Sequence, residues 1–152
     1  METIDRQTAA RVWERVTAGT RTPQWSIGEL HDMIAQEWAN AATYLQLSRR
    51  VQGSHSATLR RMFQQEQAHA ACLKGICNLI TGTIPTVHTP KLSQEPVDTI
   101  LRRCYGQQMR CLARYEAKSA DPEYGQVFVR LADQERQHCH LLLELLGSLK
   151  KK

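Results

Sequence analysis

The sequence predicts an all-α protein: an antiparallel four-helix bundle with one long crossover, plus an N-terminal helix. Three observations carry that expectation. Apolar residues recur at helical spacing through four long stretches. Only eight Gly and five Pro occur among 152 residues, and the prolines fall outside those stretches. The joints between the stretches are tight, long and tight. A chain of this length fits one domain and can bury a core without staples. The expected division is an N-terminal helix and linker over 1–25 and the bundle over 26–150.

The first helical segment covers about 4–18, with Val12, Trp13 and Val16 on one side, and Gly19 and Pro23 end it. The second starts at Ser26, where Ser26 and Glu29 form a capping box, and runs to about Gln52 with Gly53 as its stop. The third begins near Ser54 or Ser56 and continues through Ile80, closed by Thr81-Gly82. Residues 83–96 hold three prolines and no helical period, so they form the crossover. The fourth segment follows from Pro96, a favoured first-turn residue, to Ser119. Asp121-Pro122 opens the fifth, which runs to Leu146 before Gly147. Two antiparallel hairpins joined by one long crossover is the connection pattern of ferritin-like bundles.

Charge and cysteine usage exclude several classes. The formal charge of +5 comes from scattered pairs (Arg49-Arg50, Arg60-Arg61, Arg102-Arg103) and a Lys150-Lys151-Lys152 tail. A nucleic-acid surface would gather such charges into a stripe with aromatics between them, so no nucleic-acid partner is expected. No apolar run approaches membrane-spanning length, and the first residues carry no secretory h-region. Five cysteines with no C-x-x-C pair fit reduced thiols in a cytoplasmic protein.

Two E-x-x-H motifs occur: Glu66-Gln67-Ala68-His69 in the third segment and Glu135-Arg136-Gln137-His138 in the fifth. On a helix, residues three apart share a face, so each motif aims a carboxylate and an imidazole the same way. The preceding segments add Glu37 with Tyr44 and Gln108 with Tyr115, each pair seven residues apart and also on one face. Glu37 precedes Glu66 by 29 residues and Gln108 precedes Glu135 by 27, which makes a diverged internal repeat. Two adjacent divalent ions in a dry core need bridging carboxylates, neutral imidazoles at each end and terminal carboxylates to close the set. Carboxylate with imidazole suits iron or manganese. A carboxylate facing the apolar neighbours of Glu37 and Glu135 would be costly without such an ion.

On Glu37, Tyr44, Glu66-x-x-His69, Tyr115 and Glu135-x-x-His138, the chain resembles the rubrerythrin-type branch of the ferritin-like superfamily over about 26–146. The resemblance implies a di-iron centre that reacts with peroxide or dioxygen. The E-x-x-H glutamates would bridge the ions, the other helices would supply terminal carboxylates, and the tyrosines would stand behind the ligands. Two departures follow. The absence of C-x-x-C means no rubredoxin-like module, so turnover needs an external electron donor. Gln108 stands where the family has a glutamate, and Cys111 where some members carry a further carboxylate. An amide oxygen can be a monodentate ligand but brings no charge. Three glutamates leave two divalent ions one negative charge short, so the Gln108/His138 half should bind more weakly than the Glu37/His69 half.

The expected ligands are thus Glu37, Glu66, His69, Gln108, Glu135 and His138, with Tyr44, Tyr115 and Cys111 behind them. Two iron ions are expected, with manganese or zinc as substitutes, in a protein of peroxide reduction or iron oxidation and handling. The alternatives are a non-enzymatic holder of one Fe, Mn or Zn ion and a metal-free bundle used for partner contacts. Cys104, Gln108, Cys111 and Tyr115 share one face, where the thiols read as small buried hydrophobes. Cys72 and Cys77 point to different faces. His31, His55, His88 and His140 read as surface histidines. The N-terminal helix, with Trp13 and Trp25, would cover a bundle face or join a homodimer.

Overall fold

The computed structural model describes residues 25–149. They form four helices, α1 (Ile27–Ser48), α2 (Gly53–Thr81), α3 (Val97–Ala117) and α4 (Gly125–Leu149), with no strand among the described residues. The helix expected over 4–18, with Trp13, lies outside them.

At the start of α1, Ser26 Oγ accepts a hydrogen bond from the Glu29 amide at 3.1 Å, which caps one orphan donor. The reciprocal half of the expected box is not made. Instead the Glu29 carboxylate crosses to Lys118 Nζ and ties the start of α1 to the end of α3. The helix closes at Ser48, four residues before the anticipated end, and the Arg49 amide donates back to the last turn. Gly53 is therefore not a stop. It is the first residue of α2, and its φ of +63° lets the chain reverse in so short a joint. Gly82, at φ +74°, ends α2 as the sequence suggests.

The crossover over 83–96 runs along α1. Trp38 Nε1 donates to Thr89 Oγ1 at 3.3 Å, and Gln46 Nε2 donates to the Ser93 carbonyl at 2.7 Å. This path returns the chain to the C-terminal end of α1, where α3 begins antiparallel to it. Pro96 caps α3 from outside rather than sitting in its first turn. Asp121 Oδ1 accepts from the amides of Glu123 and Tyr124, and regular helix starts only at Gly125. A Cβ at Gly125 would run into the Ser119 carbonyl, so this tight joint needs glycine. Gly147 does not stop α4, which continues to Leu149.

α1 pairs with α2 and α3 with α4, while α1 faces α3 and α2 faces α4. The core forms two apolar layers. One holds Leu30, Met33, Ile34, Leu73, Ile76, Phe128 and Leu131; the other holds Leu47, Leu59, Met62, Leu101 and Leu142. Each fully buried side chain of this kind contributes about 1.5–3 kcal/mol. Trp25, assigned from sequence to a linker, plugs the first layer. Its ring meets Phe128 edge-on at 5.8 Å, and its Nε1 donates to Asp121 Oδ2 at 3.3 Å. No helix among the described residues is long and apolar enough to cross a membrane.

Candidate metal centre

Between the two apolar layers lies a polar band. The helical register brings Glu37 from α1, Glu66 and His69 from α2, Gln108 from α3, and Glu135 and His138 from α4 into it. His69 is 3% exposed and the other five are completely buried. All six expected ligands thus meet in mid-bundle, and the two E-x-x-H faces point at each other.

His69 Nδ1 lies 2.9 Å from Glu135 Oε1, 3.2 Å from Glu37 Oε2 and 3.5 Å from Glu66 Oε2. His138 Nδ1 lies 2.7 Å from Glu66 Oε1 and 3.6 Å from Glu135 Oε2. The rings stack with centroids 6.0 Å apart. The tyrosines pair across the bundle rather than with their own helices. Tyr115 donates to Glu37 Oε1, while the Gln108 amide donates to Tyr44 at 2.6 Å and to Glu66 Oε1 at 2.7 Å.

Three buried oxygens, Glu66 Oε2, Gln108 Oε1 and Glu135 Oε2, have no hydrogen-bond partner. Buried polar atoms are rarely left so, and an unsatisfied one costs about 1–3 kcal/mol. Ligand atoms of Glu37, Glu66, His69 and Glu135 all lie within 4.8 Å of one another, and this group could hold a metal ion.

The charges are strongly coupled. Burial alone would lower both imidazoles, but hydrogen bonds to Glu135 and Glu66 outweigh it, raising His69 to about 10 and His138 to about 9. Burial would raise Glu66, yet the two histidines bring it down to about 2. Glu135 goes the other way: burial and then the charge of Glu66 push it up despite the same histidines. Without metal, two imidazolium protons therefore do the work of cations. Burial first, then nearby acidic groups, raise Tyr44 and Tyr115 well above the phenol range, so both stay protonated.

Cys111 stands behind the cluster, with its Sγ 4.0 Å from Asn40 Nδ2. Burial pushes Cys104 and Cys111 up to about 12, which makes them inert thiols that fill space. Cys72 is exposed and Cys77 buried, and neither reaches the cluster. His31, His88 and His140 are exposed and His55 half-buried.

Two participants were not anticipated. Gln65 Oε1 lies 2.6 Å from His138 Nε2, and Gln134 Oε1 meets His69 Nε2. The signal was present, because each motif reads Q-E-x-x-H once extended by one residue. No protein-family model matches the chain, and no characterised protein or solved structure matches it either.

Proposed function

We propose that this protein is a ferritin-like, rubrerythrin-type bundle whose buried cluster holds two divalent metal ions, iron foremost, and handles peroxide or iron. One observation carries the reading. Unpartnered acceptor oxygens and two imidazole nitrogens converge in a buried band between apolar layers, a donor set that fits iron or manganese. Glu37 and His69 would serve one ion, His138 and the Gln108 oxygen the other, with Glu66 and Glu135 between them. Bound iron would supply the electrons that reduce peroxide or dioxygen. The chain's own part is to exclude water with its two apolar layers, to give up both imidazole protons on loading, and to keep both tyrosines protonated. With no C-x-x-C pair in the chain, electrons would return from an external donor.

One observation favours a second reading, a single-ion binder. The group of four charged or imidazole ligands is centred on His69, while Gln108 already satisfies Glu66 Oε1 by hydrogen bonding. Anaerobic titration with ferrous iron separates the readings. Two ions per chain, followed by oxidation on adding peroxide, are expected. One ion supports the binder, and no uptake with an unchanged melting temperature would sink both readings.

A further inference from the structure

The ligand set proposed above uses only one nitrogen of each histidine. The other nitrogens are engaged in a reciprocal pattern. Gln134 on α4 meets Nε2 of His69 on α2, and Gln65 on α2 meets Nε2 of His138 on α4. Both glutamines are half-buried and precede the glutamates of their own motifs. In both contacts the amide oxygen faces the ring.

A neutral imidazole carries one proton, and the hydrogen bond made by one nitrogen decides where that proton sits. When a metal ion takes the place of the proton on Nδ1, an acceptor at Nε2 keeps the remaining proton there and leaves the Nδ1 lone pair to the ion. The opposite amide orientation would put a donor against Nε2, move the proton to Nδ1 and close that nitrogen to an ion. The orientation present also leaves each amide nitrogen directed away from the ring. Partners of metal-ligating histidines commonly fix the tautomer and ring direction in this manner.

We infer that Gln65 and Gln134 are positioning residues that hold His138 and His69 with Nε2–H outward, so that Nδ1 is the nitrogen turned toward the carboxylates and the metal. Each E-x-x-H helix thereby orients the histidine of the other helix. The inference rests on the metal reading for its purpose, though not for its geometry. A neutral amide suits this place because the cluster already contains three carboxylates, and a fourth and fifth beside the imidazoles would add repulsion. Reciprocity also means that neither histidine is held by its own helix alone, so the α2–α4 seam must be closed before either half is formed.

The test uses the full chain, labelled with ¹⁵N at histidine, and the variants Gln134→Met, Gln65→Met and Gln134→Glu. Methionine keeps the length of the side chain and removes the acceptor; glutamate keeps the acceptor. In the metal-free parent, both buried rings should show slowly exchanging Nε2–H signals. Gln134→Met should lose the His69 signal only, and Gln65→Met the His138 signal only. Anaerobic ferrous titration should then show affinity about 10–100-fold weaker at the affected half. Gln134→Glu keeps an acceptor at Nε2 and should retain the His69 signal. Methionine variants with unchanged Nε2–H protection and iron affinity would overturn the inference. Failure of the metal reading gives a different result: the parent takes up no ferrous iron, whatever its ring signals show.

Discussion

On the Glu37 side of the cluster a tyrosine donates to a carboxylate; on the Gln108 side an amide donates to a tyrosine and to a carboxylate. The two sides otherwise mirror each other, with helix, tyrosine, histidine and glutamine in matching places. Replacing one carboxylate by an amide thus does more than delete a charge. It reverses the direction of the hydrogen bonds, so the Gln108 nitrogen is satisfied by Tyr44 and Glu66 while its oxygen is left without a partner. The Glu37 half carries the denser charge: His69 Nδ1 sits within 3.5 Å of three carboxylates, and that concentration demands either protons or a metal ion.

The largest effect should come from removing the two histidines in turn. His69→Ala takes away the imidazole that pairs with Glu37 and leaves three buried carboxylates short of a partner. Breaking buried ion pairs of this kind costs about 3–5 kcal/mol. The metal-free variant should therefore melt far below the parent, and anaerobic titration should show loss of the tightest ferrous ion. His138→Ala should cost less, because Glu66 keeps the Gln108 amide, and it should retain that first ion. Equal losses in melts and titrations would erase the distinction between the halves.

Gln108→Glu should narrow the difference from the other direction. The variant loses both amide donations and sets a new carboxylate beside Glu66, so metal-free stability should fall by about 1–3 kcal/mol. With ferrous iron the sign should invert. A fourth glutamate neutralises two divalent ions, and affinity for the second should rise by about 10–100-fold. Lower stability with unchanged iron stoichiometry would show that the Gln108 half has no metal role to restore.

What the sequence disclosed and what it withheld follow the same physical division. Glu66, His69, Glu135 and His138 were legible because helical spacing alone fixes a shared face. Their repetition after Glu37 and Gln108 implied two matching halves. Local capping was legible at Ser26 and Gly82; Asp121 does accept from the amides of the turn that follows it, but α4 starts only at Gly125 rather than at Pro122. Gly53 and Gly147 misled, since glycine marks a left-handed residue or tolerates a helix equally well, and only the φ of +63° at Gly53 settles its role. Contacts between helices were hidden. Spacing put Tyr44 on the face of Glu37, but its hydroxyl meets Gln108 on α3. Nothing local tells that Gln65 serves a histidine 73 residues away.

Acidity should expose the protons that stand in for metal. The imidazoles of His69 and His138 have folded values of about 10 and about 9, above the usual 6.5. Their contribution to metal-free stability is complete below 6.5 and is lost as pH rises through about 9 and then about 10. Glu66 acts oppositely: its contribution is complete above 4.5 and disappears as pH falls toward about 2. Melting temperature of the metal-free protein should therefore be highest between those limits and decline on the alkaline side. Iron affinity should climb over the same alkaline range, because loading releases the imidazole protons. His69→Ala should flatten more of the alkaline decline than His138→Ala. A metal-free melting temperature that rises from neutral to alkaline pH would contradict the proton-for-metal exchange.

The smallest effect discriminates most sharply between the halves, because it reads hydrogen-bond direction itself. Tyr115→Phe removes a donor from the Glu37 carboxylate, and hydrogen bonds to charged groups contribute about 1.5–3 kcal/mol. Tyr44→Phe removes only an acceptor from the Gln108 amide, which keeps Glu66 as a partner; a neutral bond of that kind contributes about 0.5–1.5 kcal/mol. Denaturant unfolding of the metal-free proteins should rank Tyr115→Phe as the costlier change. In the Gln108→Glu background the order should vanish. There Tyr44 can turn its hydroxyl to donate to the new carboxylate, as Tyr115 does to Glu37, and Tyr44→Phe should become about as costly as Tyr115→Phe. The double-mutant cycle between positions 44 and 108 then yields a coupling of the size found for directly contacting groups, about 0.5–3 kcal/mol. A coupling near zero would mean that the Tyr44 hydroxyl does not respond to what stands at position 108, and that the two halves differ in charge alone.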